Sequence, residues 1–360
     1  MKILVGVMHP KHVYMFKNFI HEMIKRGHEV EIVAIEKDIT GTLLKKFQLR
    51  FTHIGKNPSS LLGKILHIPL WTYRTFKFSM RFKPDLFIGQ AFPHFAYVSV
   101  LLNKPYIIFE DTEIAQAVQA ITFPFASSIV TPSCYKKNLG RKHILFEGYF
   151  ELAYLHPNYF IPDATVLDDA GLTPDVPYIV MRFVSWQATH DVGQQGIRDK
   201  IGLVRMLEQY RRVLITSEGP LPEALEQYRI QVSPEKLHDL LYYANLYIGE
   251  GGTIATEAAV LGTPSIYVSS LVGTMGNFIE LEKKYNLLKS YSNSDDAVEE
   301  AITILQDPAS KEKWRINRER LLNEKIDFTT FMVWFIEHYP SSVTEIRDNP
   351  RKQFVLKGEM

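Results

Sequence analysis

The sequence predicts an α/β protein built as two doubly wound, parallel-sheet domains in tandem. Three observations support this. Short apolar runs suited to strands covered on both faces alternate with segments of helical period, a turn-rich break falls midway, and the alternation then restarts. At 360 residues the chain also exceeds the size at which a single core stops growing.

The first run, KILVGVM, reads as a buried strand. Val13, Phe16, Phe19, Ile20, Met23 and Ile24 then recur at helical spacing, and Gly27 supplies a stop. HEVEIVAIE follows as a second strand, which completes a βαβ unit and implies a right-handed crossover. PDLFIG, PYIIFE, SSIVTP and HILFEG continue the pattern, so residues 1–160 form the first domain. Prolines and turn formers with little periodicity mark 161–177 as a linker. In residues 178–325 the strands are YIVMRFV, RVLITS, NLYIGE and PSIYVSS. Helices are expected at RDKIGLVRMLEQY, SPEKLHDLLYYA and TIATEAAVLG. An aromatic-rich helix, DFTTFMVWFIEHYP, is expected to cross back within 326–345, and 346–360 reads as a polar tail.

Composition narrows the function. A hydrophobic content of 46% and a charged content of 22% are ordinary for a soluble globular protein. No apolar run reaches a membrane span, and the N-terminus does not read as a secretory signal, so a cytoplasmic location is expected. The single cysteine, Cys134, excludes a disulfide framework and a cysteine-based zinc cluster.

Net charge is +1, yet residues 1–150 carry +10 and the remainder −9. From Ile39 to Pro84 there is no acidic residue but nine Lys and Arg, mixed with Leu, Ile and aromatic side chains. Two readings of 59–83 stay open: a helix lying at the inner face of an anionic membrane or against a lipid-linked acceptor, and a solvated basic face packed on its own domain. Nucleic acid is not expected as a partner, because the total charge is near neutral and nucleic-acid motifs are missing.

The densest chemistry lies in GEGGTIATEAAVLGTP. A strand ends at Glu250, Gly251 and Gly252 turn the chain, and a helix begins near Thr253. Glycine lets backbone N–H groups approach an anion, and the helix N-terminus adds unpaired donors and partial positive charge, a seat for a phosphate. Glu257 falls about one turn along, where a carboxylate can accept hydrogen bonds from sugar hydroxyls. Other nucleotide motifs are missing. The first strand is followed by His9-Pro10-Lys11-His12 rather than G-x-G-x-x-G, and there is no P-loop, nucleophile elbow or H-E-x-x-H.

EGGTIATEAAVLGTP resembles the donor-binding motif of the GT-B superfamily, which includes the MurG-type glycosyltransferases and the non-hydrolysing UDP-N-acetylglucosamine 2-epimerases. With HPKHVYMFKNFI, KRGHEVEI and RFVSWQATHDVGQQG, the chain over about residues 1–345 is similar to a domain family of unknown function within it. The resemblance implies two Rossmann-like domains facing a cleft. It places the nucleotide diphosphate at Gly251, Gly252 and Thr253 and the ribose at Glu257. Arg182, Ser217 and Glu250 are further candidates on the donor side.

The catalytic pattern departs from both relatives. An aspartate used by the epimerases is matched by Gln90, a glutamate by one of Glu110, Asp111 and Glu113, and a histidine by His190. The MurG-type glycine-rich loop is replaced at residues 9–12.

From the residues themselves, His9 and His12 follow the first strand's carboxyl end, where open α/β sheets bind ligands, and Glu110, Asp111 and Glu113 end another strand. An inverting sugar transfer needs one general base plus donors on the departing diphosphate. His9, His12, Glu110, Asp111, Glu113 and His190 are therefore the catalytic candidates, with no metal and no separate cofactor demanded.

The leading expectation is a glycosyltransferase of surface-polysaccharide or glycolipid synthesis. It would take a donor that the resemblance suggests is UDP-linked and a saccharide or lipid-linked acceptor. A nucleotide-sugar 2-epimerase and a non-catalytic nucleotide-sugar-binding protein are the alternatives.

Overall fold

The computed structural model describes residues 1–58, 60–173, 175–184 and 196–356. They divide into two compact units, Met1–Tyr159 with Lys325–Met360, and Phe160–Glu324.

The first unit holds seven strands: β1 (Lys2–Val7), β2 (Glu29–Glu36), β3 (Phe51–Lys56), β4 (Leu86–Gly89), β5 (Tyr106–Phe109), β6 (Ser128–Pro132) and β7 (His143–Phe146). All pair in parallel, in the order β3-β2-β1-β4-β5-β6-β7. β3 lacks a continuous apolar run because it is an edge strand, with His53 and Lys56 exposed. Right-handed crossovers place helices Leu61–Phe82, Pro93–Leu101 and Gln116–Thr122 on one face, and Pro10–Lys25 on the other.

Helix Pro10–Lys25 buries the stripe Val13, Phe16, Phe19, Ile20 and Met23, although Ile24, on the same expected face, is 52% exposed. Helix Phe328–Glu337 packs against it, and Phe328 stacks on Phe146 with ring centroids 4.2 Å apart.

The second unit holds β8 (Tyr178–Phe183), β9 (Arg212–Ser217), β10 (Leu246–Gly249), β11 (Ser265–Val268) and β12 (Lys289–Tyr291), again all parallel, in the order β12-β11-β10-β8-β9. Helix Gly252–Leu261 runs from β10 to β11 and ends at Gly262, whose φ of 79° suits a residue without a Cβ.

Two boundaries differ from the sequence reading. The stretch 161–177 is part of the second unit, where Val166, Leu167 and Leu172 are buried around a short helix, Val166–Asp169. The described residues after 345 are folded rather than a tail. Ile346 is buried within helix Ser341–Asp348, and Gln353 accepts a hydrogen bond from the Glu147 amide at 2.7 Å. In both stretches a few apolar side chains find cover that their polar neighbours conceal in the sequence.

Each sheet has a point where the winding direction reverses. In the first unit it lies between β1 and β4, in the second between β8 and β10. The connections leaving two adjacent strands diverge there, so their carboxyl ends frame a crevice. His9 to His12 follow β1 and Gln90 follows β4, while Val184 follows β8 and Glu250 to Gly252 follow β10.

Candidate functional site

In the second unit, β8 and β10 run in such close register that a Cβ on Gly249 would lie 2.5 Å from the Arg182 carbonyl oxygen. Gly251 is the N-cap of helix Gly252–Leu261 and has no side chain with which to cap it. The first amides of a helix have no intrahelical acceptor, so this end presents backbone donors where the sheet reverses. Gly252 and Thr253 are partly exposed.

Arg182 leaves the same place on β8. Its guanidinium donates to Thr216 Oγ1 at 2.7 Å and to Glu218 Oε1 at 2.9 Å, with the side chain 19% exposed. Ser217 is the partly exposed last residue of β9.

Glu250 and Glu257 are both buried. The Glu250 carboxylate accepts from Val184 N at 3.0 Å and Ile197 N at 2.8 Å, with Lys200 Nζ at 3.9 Å. It fastens Val184, which follows β8, to Ile197. Glu257 Oε1 lies 3.1 Å from His238 Nε2, and both side chains are nearly covered. The sequence reading had no role for His238, and nothing in its spacing marks it. His190 lies outside the described residues.

In the first unit the residues after β1 divide their roles. His9 caps helix Pro10–Lys25, its Nδ1 accepting from Lys11 N at 3.1 Å. His12 is buried, with Nδ1 accepting from Met8 N at 3.1 Å and Nε2 2.8 Å from Gln90 Oε1. A backbone amide can only donate, so the His12 proton sits on Nε2 and points at Gln90. Burial pushes the His12 pKa down to about 3. With both ring nitrogens engaged, His12, one of the catalytic candidates, stands as a neutral strut between Met8 and Gln90.

Lys11, unassigned in the sequence reading, is central. Its ammonium is paired with Asp111 and lies 3.9 Å from Glu151 Oε1, with only 13% of the side chain exposed. Burial alone would lower its pKa, but the charges of Asp111, Glu151 and Glu110 overcome that and hold it above the ordinary lysine range. The available signal was its position directly after the first strand of a doubly wound sheet.

Glu110, Asp111 and Glu113 are all buried at the end of β5. Glu110 Oε1 accepts from the amides of Asp111 and Thr112 at 3.1 and 3.0 Å. Burial, with Asp111 beside it, raises the Glu110 pKa to about 7 in spite of those bonds and of Lys11. Glu113 Oε1 instead accepts from Lys136 N at 3.2 Å, on the segment after β6. One ammonium among three carboxylates leaves excess negative charge, and a proton on Glu110 relieves it.

Stability should report this proton. Because the folded-state pKa of Glu110 lies above the ordinary 4.5, the folded state binds more protons between about pH 4.5 and 7. The contribution of Glu110 is then present below that window and lost as pH rises through it. In urea unfolding, Glu110→Gln should shrink the stability difference between pH 5 and pH 8 by on the order of 2 kcal/mol. An unchanged difference would place the proton elsewhere.

A cavity of about 560 Å³ opens in the first unit, lined by Gln116, Gln119, Phe123, Leu139, Lys137 and Lys142. It adjoins Glu113, whose carbonyl accepts from Lys137 Nζ, rather than the sheet reversal, so the topology is the firmer guide to chemistry. Among the described residues no group of three or more His, Cys, Asp and Glu side chains could hold a metal ion.

The sequence profile of the family described as protein of unknown function (DUF354) matches residues 1–331. The chain belongs to that family. An uncharacterised protein of Methanocaldococcus jannaschii is 26% identical, over 78% of this chain and 86% of the relative.

Among solved structures, the S. aureus MnaA structure with UDP superposes with a TM-score of 0.68 at 12% identity, covering 95% of this chain and 98% of that one. The Methanocaldococcus jannaschii UDP-GlcNAc 2-epimerase, solved with UDP-GlcNAc and UDP, gives 0.61 at 14% identity, covering 89% and 99%. The spinosyn forosaminyltransferase SpnP gives 0.61 at 14% identity, covering 96% and 99%. These likenesses establish the GT-B fold, in agreement with the resemblance carried by residues 250–264.

Proposed function

We propose that this protein is a nucleotide-sugar-dependent glycosyltransferase. The observation that carries the reading is the helix start at Gly251-Gly252-Thr253, with a glycine as its N-cap, at the reversal point of the second sheet. Its amides and the helix dipole would hold the donor diphosphate and stabilise it as a leaving group. Glu257, its rotamer held by His238, would receive the ribose hydroxyls, with Arg182 and Ser217 flanking the site.

In the first unit Glu110, poised near neutrality, is suited to take the proton of an acceptor hydroxyl. In such a transfer the acceptor oxygen bonds to the sugar's anomeric carbon as the bond to the diphosphate breaks, and a general base takes the acceptor's proton. Asp111 is paired with Lys11 and is better suited to holding Glu110 in its environment. A saccharide or lipid-linked acceptor of polysaccharide or glycolipid synthesis fits this scheme.

The near-neutral Glu110 also favours a second reading, a nucleotide-sugar 2-epimerase. Epimerisation needs proton-handling groups on both sides of the sugar carbon, however. At the end of β4 stands the amide of Gln90, tied to a neutral His12.

Thermal unfolding with UDP, GDP, CDP and ADP and their sugars tests the donor site. At about 100 times the dissociation constant, a selective ligand should stabilise the protein by about 2.7 kcal/mol, a shift of several degrees. Glu257→Ala should lose most of that shift. No shift with any nucleotide would overturn the reading. Incubating the selected nucleotide sugar in heavy water separates the two enzyme chemistries: deuterium at sugar C2 would assign the epimerase, and sugar transferred to an added saccharide or lipid-linked acceptor without such deuterium the transferase.

A further inference from the structure

We infer that the helical layer covering one face of the first sheet docks on an anionic lipid surface. Helix Leu61–Phe82 spans 22 residues, about 33 Å at 1.5 Å per residue. Its sheet-facing side buries Trp71, Thr75 and Ser79. Its outward side, which a helix on a water-soluble protein makes polar, is apolar instead. Leu62, Leu66, Tyr73 and Met80 fall at steps of four and seven residues on one stripe and are 66%, 68%, 61% and 52% exposed.

The apolar surface extends past this helix. Val100 and Leu101 are exposed at the end of helix Pro93–Leu101, which packs along Leu61–Phe82; Ile121 is exposed on helix Gln116–Thr122 and Phe125 on the short turn of helix that follows it. Large apolar side chains exposed on neighbouring elements of one layer mark an interaction site.

Charge selects the occupant. Lys77, Arg81 and Lys83 are exposed on the same helix or directly after it, and no acidic residue occurs from Ile39 to Pro84. A second copy docked face to face would set positive charge against positive charge. A bilayer rich in anionic headgroups accepts the apolar stripe and the cations together. Among the described residues no helix is long and apolar enough to cross a membrane, so the layer would lie in the interface.

The experiment uses the full chain, sedimented with vesicles of phosphatidylcholine alone or mixed with phosphatidylglycerol, at low and high salt. Two variants alter exposed positions only, Leu62→Ser with Leu66→Ser, and Lys77→Glu with Arg81→Glu. Unchanged circular dichroism and urea unfolding midpoint confirm that each has folded. The parent should bind the mixed vesicles selectively and lose binding at high salt, and each variant should lose partitioning roughly tenfold or more. Equal binding by the parent and both variants would overturn the inference. So would no binding to either vesicle, or a dimer in solution that only the serine variant dissolves.

Discussion

Lys11→Met should lower the folding stability of the first unit by about 3–5 kcal/mol, because it leaves Asp111 and Glu151 as buried carboxylates without their cation. The loss should be greater at pH 8 than at pH 5, since at the lower pH Glu110, its pKa raised to about 7 by burial, is neutral and the cluster that has lost its cation holds less negative charge. Adding Asp111→Asn to Lys11→Met should recover part of the loss, because an amide is cheaper to bury alone than a charge. Urea titrations of the parent, the single and the double variant at both pH values measure all three effects. A loss under about 1 kcal/mol with no dependence on pH would mean that water, not Lys11, compensates these carboxylates.

Glu250→Ala should cost about 2–6 kcal/mol in the second unit. It removes the acceptor from the Val184 and Ile197 amides, and each donor left unpaired out of water costs about 1–3 kcal/mol. Glu250→Gln should fall between, since one amide oxygen can still accept while the amide nitrogen faces a second donor. Denaturant titration gives the stabilities, and nucleotide-induced thermal shifts report whether the neighbouring Gly251 still presents its donors. If the alanine variant is as stable as the parent, the carboxylate does not fasten this connection.

The fold was legible at the level of elements that carry their own pattern. Strands such as KILVGVM and NLYIGE are buried on both faces and read as unbroken apolar runs, and helix Pro10–Lys25 shows most of its core-facing stripe in its spacing. Edge strands β3 and β12 and the folded stretch after Ile346 were not, because their stability comes from neighbours rather than from a run of their own.

The site was legible unevenly. Its glycine pair announced a helix start, but His12 carries the same letter whether it titrates freely or sits locked against Met8 and Gln90. Lys11 likewise looks like any surface lysine until the sheet brings it to Asp111, 100 residues along the chain.

The sequence by itself determined two parallel α/β units and a glycine turn at Gly251-Gly252 that opens a helix. Strand periodicity, helix periodicity and the missing Cβ of glycine act between near neighbours, so they are written locally. Only the tertiary structure decided which charges are buried and what each one meets: Glu110 raised toward neutrality, Lys11 held above its ordinary range, and Glu250 turned to backbone amides. Desolvation and Coulomb energy depend on distances that the chain acquires only when remote segments pack together.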